Sequence, residues 1–274
     1  MAEIVGLFGV SHTPVMTNLP DAPDAALRDE VFARFRAMGD RIRALAPDAV
    51  LLISDDHLHN FFLDNLPAFC VGAADHYDTP VEHWLKVERQ TVAGDPVLGM
   101  HLIGELLRHD FDPALSMELT LDHGMVTPTT LMGIHGLYPV IPLIVNTVQP
   151  PMPRMRRCIA LGTAVGDAIR SYEGCRRVAV IATGGLSHDV GTPRMGIVSE
   201  EFDREFLRLL ALGEPAALAD YCQANASLGG NGTEEVRNWL VAHGIAGCTG
   251  FAAEFYHPVS AWYTGIAIGE WTAA

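Results

Sequence analysis

Two histidines stand where a metal ion could be gripped. His12, in Val10-Ser11-His12-Thr13-Pro14, follows the apolar run 4–10, and His57, in Ser54-Asp55-Asp56-His57, follows the apolar run 49–54. Neutral imidazoles on adjacent strand ends, joined by one carboxylate, make a facial triad that binds Fe(II) and leaves three coordination positions open. A catechol can take two of those positions and O2 the third. One ion then holds both reactants and lets electron density pass between them, which avoids their direct, spin-forbidden reaction. Taken singly, a histidine at a strand end is more often a hydrogen-bonded structural residue, so the pair carries the argument.

Other residues offer the remaining parts. His59, two residues beyond His57, points the opposite way if its loop is extended, which makes it the lesser option for the same role. Leu121-Asp122-His123-Gly124 and Gly184-Gly185-Leu186-Ser187-His188 place two more histidines in loops. An imidazole titrating near neutrality can remove a catechol proton, and a second can steady or protonate the oxygen species. The plainer alternative is a glycine turn whose histidine caps a helix. The carboxylate is hardest to find, because 33 acidic residues compete for it. The best segment is the glycine-rich stretch 229–239, where Glu234 and Glu235 enter a helix opened by Thr233. Spacing alone does not raise either above an ordinary first-turn glutamate that favours the helix dipole.

These loops need a scaffold, and the pattern of apolar residues supplies one. Short buried strands are expected at 4–10, 49–54, 140–146, 178–183 and 264–268. Between them, helices are expected at 24–45, where Leu27, Val31, Phe35, Met38, Ile42 and Leu45 form one stripe, and at 96–109, 154–171, 200–212, 215–225 and 234–243. Strands alternating with helices point to an α/β fold, a sheet flanked by helices on both faces, with ligands in the loops beyond the strands' carboxyl ends. There is no internal repeat, and Pro150–Pro153 reads as a kink too short for a linker, so one domain over 1–274 is expected.

Composition narrows the function classes. Hydrophobic residues form 49% of the chain and charged residues 19%, enough apolar material for a thick core. The formal charge is −15, and the basic residues are scattered apart from Arg154, Arg156 and Arg157, which argues against nucleic acid as a partner. An anionic substrate needs a local cation, for which Arg194 is one candidate and an ordinary solvated arginine the alternative. The five cysteines, Cys70, Cys158, Cys175, Cys222 and Cys248, include no Cys-x-x-Cys pair, which favours a reducing compartment over disulfides or a zinc ribbon. No apolar run approaches the ~18 residues of a membrane span, and the N-terminus lacks the marks of a secretory signal. The expected location is cytoplasmic, with no membrane partner.

Together the motifs resemble those of the class III extradiol dioxygenases, the superfamily of the catalytic subunit of protocatechuate 4,5-dioxygenase and of 2,3-dihydroxyphenylpropionate 1,2-dioxygenase. Ser11-His12-Thr13-Pro14 is similar to the first metal-histidine motif. Asp56-His57, followed by Phe61-Phe62 and the run Pro67 to Gly72, is similar to the second, which favours His57 over His59. Asp122-His123-Gly124 and Gly184 to His188 resemble the two second-sphere histidine motifs. Glu235, four residues before Trp239, falls where the family's carboxylate ligand stands, and Phe255-Tyr256-His257-Pro258 is family-like without an assigned role.

The resemblance implies a central mixed β-sheet between helical layers, Fe(II) held by His12, His57 and Glu235, and proton transfer by His123 and His188; sequence leaves open which of the two is base and which acid, and the expectation is His188 as the base that deprotonates substrate and His123 as the group that assists oxygen. It implies meta cleavage of a catecholic acid, protocatechuate-, gallate- or dihydroxyphenylpropionate-like, with O2 as co-substrate. Segment 145–171 and the run Pro193 to Gly196 look closer to the protocatechuate branch, whereas the loop after His57 looks closer to the phenylpropionate branch. A homo-oligomer is expected, and a small lid subunit of the protocatechuate kind would have to come from a partner chain. Two competing readings remain: a zinc-dependent hydrolase using the same three ligands, and a non-catalytic binding relative.

Overall fold

The computed structural model describes residues 1–174 and 176–272, so Cys175 lies outside the described residues. In chain order the elements are β1 (Glu3–Val10), α1 (Val15–Asn18), α2 (Ala25–Leu45), β2 (Ala49–Ser54), β3 (Phe69–Gly72), β4 (His76–Thr79), β5 (Gln90–Ala93), α3 (Pro96–Arg108), β6 (Ala114–Ser116), α4 (His123–Leu131), β7 (Val140–Val145), α5 (Met155–Ser171), β8 (Arg177–Thr183), α6 (Glu200–Leu212), α7 (Pro215–Gly229), α8 (Val236–Ile245), β9 (Phe251–Val259) and β10 (Thr264–Trp271). Each strand and helix expected from apolar periodicity is present. The elements beyond those expected are α1, β3, the β4–β5 hairpin, β6, α4 and β9.

Eight strands form one mixed sheet in the order β6-β3-β7-β2-β8-β1-β10-β9. Its centre, β7-β2-β8-β1, is parallel, while β10 runs antiparallel to β1, and β3 antiparallel to β7. Side chains alternate across the pleat, so each central strand feeds two cores. Leu7, Leu51, Ile53, Val178 and Val180 pack against α3, α5 and α8 on one face. Phe8, Val50, Leu52, Ala179 and Ile181 pack against α2 and α4 on the other. Strands buried on both faces read as continuous apolar runs, which is why 49–54 and 178–183 stand out in the sequence.

The stripe of α2 buries Val31, Phe35, Met38 and Ile42, and Asp24 caps the helix by accepting from the Leu27 N–H. Gly39 lets that helix lie against α4, since a Cβ there would stand 1.8 Å from the Met132 carbonyl oxygen. One expectation needs correction. The chain does not enter a regular helix at 234 behind a Thr233 cap; Asn231–Glu235 forms a 3-10 turn, and α8 begins at Val236. The Thr233 hydroxyl instead accepts from the His188 N–H at 3.3 Å, which ties the glycine-rich stretch to the neighbouring loop.

Candidate active site

Strand register brings the site together. β1 pairs with β8 so that Val10 lies opposite Thr183, and β2 pairs with β8 so that Ile53 lies opposite Ala182. Three parallel strands therefore end at one level, and Thr183 Oγ1 donates to Ser54 Oγ across the end of the sheet at 2.8 Å. The residues that follow, His12, Asp55 to His57 and Gly184 to His188, leave from nearly one point. A crevice at the carboxyl ends of parallel strands is the usual place for a ligand in such sheets.

His12 is held from behind. Ser11 Oγ donates to the Gly265 carbonyl at 3.1 Å and accepts from the Ala267 N–H at 2.9 Å, which fixes the chain where β1 ends. The His12 ring is buried, yet neither of its nitrogens makes a hydrogen bond. Its Nε2 lies 3.5 Å from Glu235 Oε2, and His57 Nε2 lies 3.7 Å from Glu235 Oε1. Glu235 reaches this point because Gly184, at φ +158°, has no side chain; a Cβ there would stand 3.2 Å from Glu235 Cβ. The Gly185 N–H also donates to Glu235 Oε2 at 2.6 Å. Glu234, its neighbour, turns away into an ion pair with Arg237.

His12, Asp55, His57 and Glu235 offer one donor atom each, all within 4.8 Å of one another. This set could hold a divalent metal ion. Asp55 had no role in the sequence reading, although it shares the strand-end position and stands two residues before His57. His57 is oriented by Asp122, whose Oδ2 accepts from both the His57 backbone N–H and Nδ1–H at 2.9 Å. A carboxylate on Nδ1 leaves Nε2 as the free donor and makes it more basic.

The two loop histidines face the same space. His123 opens α4 behind Asp122, which caps the helix through the Gly124 N–H, so the histidine is not the cap. Its ring centroid lies 4.0 Å from that of His57 and 5.6 Å from that of His12. Its Nδ1 bonds Glu82 Oε1 at 2.6 Å, another partner absent from the sequence reading. His188 Nδ1 donates to the Leu186 carbonyl at 2.9 Å and its Nε2 lies 3.4 Å from Glu235 Oε1. The family-like motif on β9 supports that loop: Tyr256 Oη donates to Asp203, which also accepts from the Ser187 N–H and hydroxyl.

His59 does not point away from the cleft. Leu58 has φ +58°, so the segment turns and strand alternation does not apply. His59 lines the cleft with Nε2 3.3 Å from Glu82 Oε1, outside the His12 cluster. Arg194 is exposed at the surface, 3.0 Å from Asp189 Oδ2 and bonded to the Leu228 carbonyl.

Burial and charge set the protonation of the cluster. Burial pushes His12 down to about 3 against the pull of Glu235. Burial also opposes a charge on His57, but Asp55 and Asp122 outweigh it and hold the ring well above its ordinary range. Asp55 is pushed up to about 7, by burial first. Burial would raise Glu235 too, yet His12 and His188 outweigh it and hold the carboxyl well below its usual range. His188 is raised, since Glu235 overcomes the effect of its burial, whereas His123 is lowered by burial and by His57. Carboxylates concentrated around buried imidazoles make a well for a cation.

A cleft of about 330 Å³ opens over the cluster, within the range of small-molecule sites. Val15, Trp84, Val190, Met195 and Trp262 supply its apolar walls, with Tyr263 and Thr264 adding polar groups. No helix among the described residues is long and apolar enough to cross a membrane.

Comparison with known proteins agrees with this geometry. The model of the family described as the catalytic LigB subunit of aromatic ring-opening dioxygenase matches residues 6–270. A 2,3-dihydroxyphenylpropionate/2,3-dihydroxicinnamic acid 1,2-dioxygenase of Cupriavidus necator is 31% identical over 94% of this chain and 95% of its own length. A protein of the same name from Photorhabdus laumondii is 28% identical, covering 96% of each chain. The crystal structure of an uncharacterized Escherichia coli K12 protein superposes with a TM-score of 0.64 at 13% identity over 96% of this chain and 98% of that one, a likeness of fold alone. The chain is thus an extradiol ring-cleaving dioxygenase and belongs to the family of the catalytic LigB subunit of aromatic ring-opening dioxygenases.

Proposed function

We propose that His12, His57 and Glu235 hold Fe(II) and that the protein opens the ring of a catecholic acid beside its diol, with O2 as co-substrate. The observation that carries this is the buried His12 ring, which has no hydrogen bond at either nitrogen and faces Glu235 and His57. A buried polar group without a partner is costly, and a metal ion removes the cost. Two imidazoles with one carboxylate are the donor set of non-haem Fe(II) oxygenases. Bound there, the ion supplies a meeting point for diol and O2 and a path for electron density between them.

The protein's own groups handle orientation and protons. The Leu186 carbonyl can only accept, so His188 carries its hydrogen on Nδ1 and presents Nε2 to the cleft as a base. Its raised proton affinity suits it to take a proton from a catechol hydroxyl. Glu82 likewise fixes a hydrogen on His123 Nδ1 and leaves Nε2 to act at oxygen. The apolar walls suit an aromatic ring and its side chain while excluding water. The relatives' names support a dihydroxyphenylpropionate-like acid, and Arg194, paired with Asp189 beside the cleft, is the candidate cation for its carboxylate. Trp84, Val190 and Met195 remain exposed at the mouth, which supports closure by a second chain, whether another copy or a small lid subunit.

The test is an oxygen-electrode assay on protein loaded anaerobically with Fe(II), across protocatechuate, gallate, catechol and dihydroxyphenyl acids. O2 uptake with a yellow product is expected. Tight zinc with activity that needs no O2 would overturn the reading.

A further inference from the structure

We propose that Asp203 is a positioning residue for the ring-opening reaction, holding the loop that aims His188 Nε2 into the cleft, and that Tyr256 completes its grip. This rests on the reading that His188 takes a proton from the substrate. Asp203 sits in the first turn of α6, behind that loop rather than in the cleft wall, and its side chain is fully buried. Three donors converge on its carboxylate: the Ser187 N–H at 2.7 Å on Oδ1, and the Ser187 hydroxyl at 3.0 Å and the Tyr256 hydroxyl at 2.8 Å on Oδ2. The side chain reaches them because β10 has no side chain at Gly265, where a Cβ would stand 2.1 Å from Oδ2.

The grip falls where the ring's direction is decided. Ser187 lies between Leu186, whose carbonyl accepts the His188 Nδ1–H, and His188 itself. The ring's aim is thus a property of the backbone from 186 to 188, and Asp203 holds the middle of that stretch by both its N–H and its side chain. The Ser187 hydroxyl also accepts from the Ser199 N–H at 2.7 Å, so the same knot fixes the start of α6. A carboxylate suits this place, because hydrogen bonds to an ionised acceptor are roughly twice as strong as neutral ones. Burial pushes Asp203 up to about 6, against the pull of its donors, which leaves it ionised at neutral pH. Tyr256 is the donor that comes from outside the loop, and this gives the motif on β9 its role.

A carboxylate that merely stabilised the fold would behave differently. Its loss would lower activity by the same factor whatever stands at position 188. If Asp203 acts through His188, its loss has nothing left to impair once that ring is gone. The loop at the cleft mouth is held separately, by Asn231 on both backbone groups of Val190 and by Arg194 on Asp189, so substrate binding should not depend on Asp203.

The experiment measures kcat, KM and Fe(II) affinity, with the dihydroxyphenyl acid turned over fastest, for the wild type, Asp203→Asn, Tyr256→Phe, His188→Ala, and His188→Ala combined with each of the other two. Asp203→Asn is expected to lower kcat about 10- to 100-fold, and Tyr256→Phe about 5-fold, with KM and iron affinity near wild type in both. Neither loss should appear behind His188→Ala, where each double variant should match His188→Ala within about 2-fold. Wild-type kcat in Asp203→Asn, a loss that returns in full behind His188→Ala, or a change in KM or iron affinity as large as that in kcat overturns the proposal. Should Asp203→Asn fail to fold, Tyr256→Phe decides by the same criteria. If His188→Ala itself turns over at the wild-type rate, the reading of His188 falls, an outcome distinct from a failure at Asp203 alone.

Discussion

Asp122 grips His57 twice with one oxygen: Oδ2 accepts both the backbone N–H and the ring Nδ1–H at 2.9 Å. The ring can therefore neither flip nor present Nδ1 to the cleft, and its Nε2 is aimed at the space shared with His12 and Glu235. Asp122 Oδ1 meanwhile accepts from the Gly124 N–H and caps α4, so one side chain joins the helix that carries His123 to the loop that carries His57.

Replacing Asp122 with Asn keeps the cap but loses the charged acceptor on Nδ1. Metal affinity is expected to fall about 10- to 100-fold, the usual cost of removing a partner of a ligating histidine. Chelator competition measures it, and unchanged affinity would count against His57 as a ligand.

His188→Ala removes the group that presents Nε2 to the cleft and leaves His12, His57 and Glu235 in place. Metal content should stay at the wild-type level while kcat drops ~10²–10⁴-fold, the typical worth of a positioned proton-transfer group. Metal analysis beside steady-state kinetics checks both halves. A variant that lost its metal instead would place His188 among the ligands.

The glycine-rich stretch has a steric reason to be one. A Cβ on Gly232 would stand 2.0 Å from His188 Nε2, so Gly232→Ala must push the ring aside. Displacement of a catalytic group by about 1 Å can cost roughly 10²-fold in rate. The expected result is a kcat loss close to that of His188→Ala with unaltered metal affinity. Wild-type kcat would show that the ring's position is not critical.

Stability should fall on mild acidification. His243 is fully buried and accepts from the Trp271 indole N–H at Nδ1, and burial pushes it down to about 4. The unfolded chain takes up a proton near 6.5 that the folded one refuses, so stability is full above that pH and is lost as pH falls toward 4. The slope is about 1.4 kcal/mol per pH unit for one such group. Urea unfolding at pH 7 and pH 4.5 should show the loss, and His243→Gln, which retains an acceptor for Trp271, should lessen the slope by that one group's share. An equal slope in the variant would assign the acid sensitivity elsewhere.

Much of this was legible in the chain because the physics is local. Apolar runs at 49–54 and 178–183 mark strands buried on both faces, and the stripe of α2 marks a helix with one buried side. Given alternating strands and helices, His12, His57 and His188 just past strand ends were bound to lie at one end of a sheet. Glu235 was not legible from spacing, since Glu234 beside it offers the same chemistry and only the resemblance chose between them. Tertiary structure separates the two: Glu234 meets Arg237, while Glu235 enters the gap that Gly184 leaves.

What the amino-acid order determined by itself was therefore the alternation of strands and helices and which histidines stand just past strand ends, because periodicity and strand ends are written in neighbouring residues. What only the folded chain decided was who faces whom. Leu58 at φ +58° turns His59 toward Glu82, Asp122 locks His57 from 65 positions away in sequence, and Asp55 is left with a bare oxygen at the centre of the cluster. These relations arise from strand register and loop geometry. Such distances are set by packing among segments far apart in the chain, and no local pattern carries them.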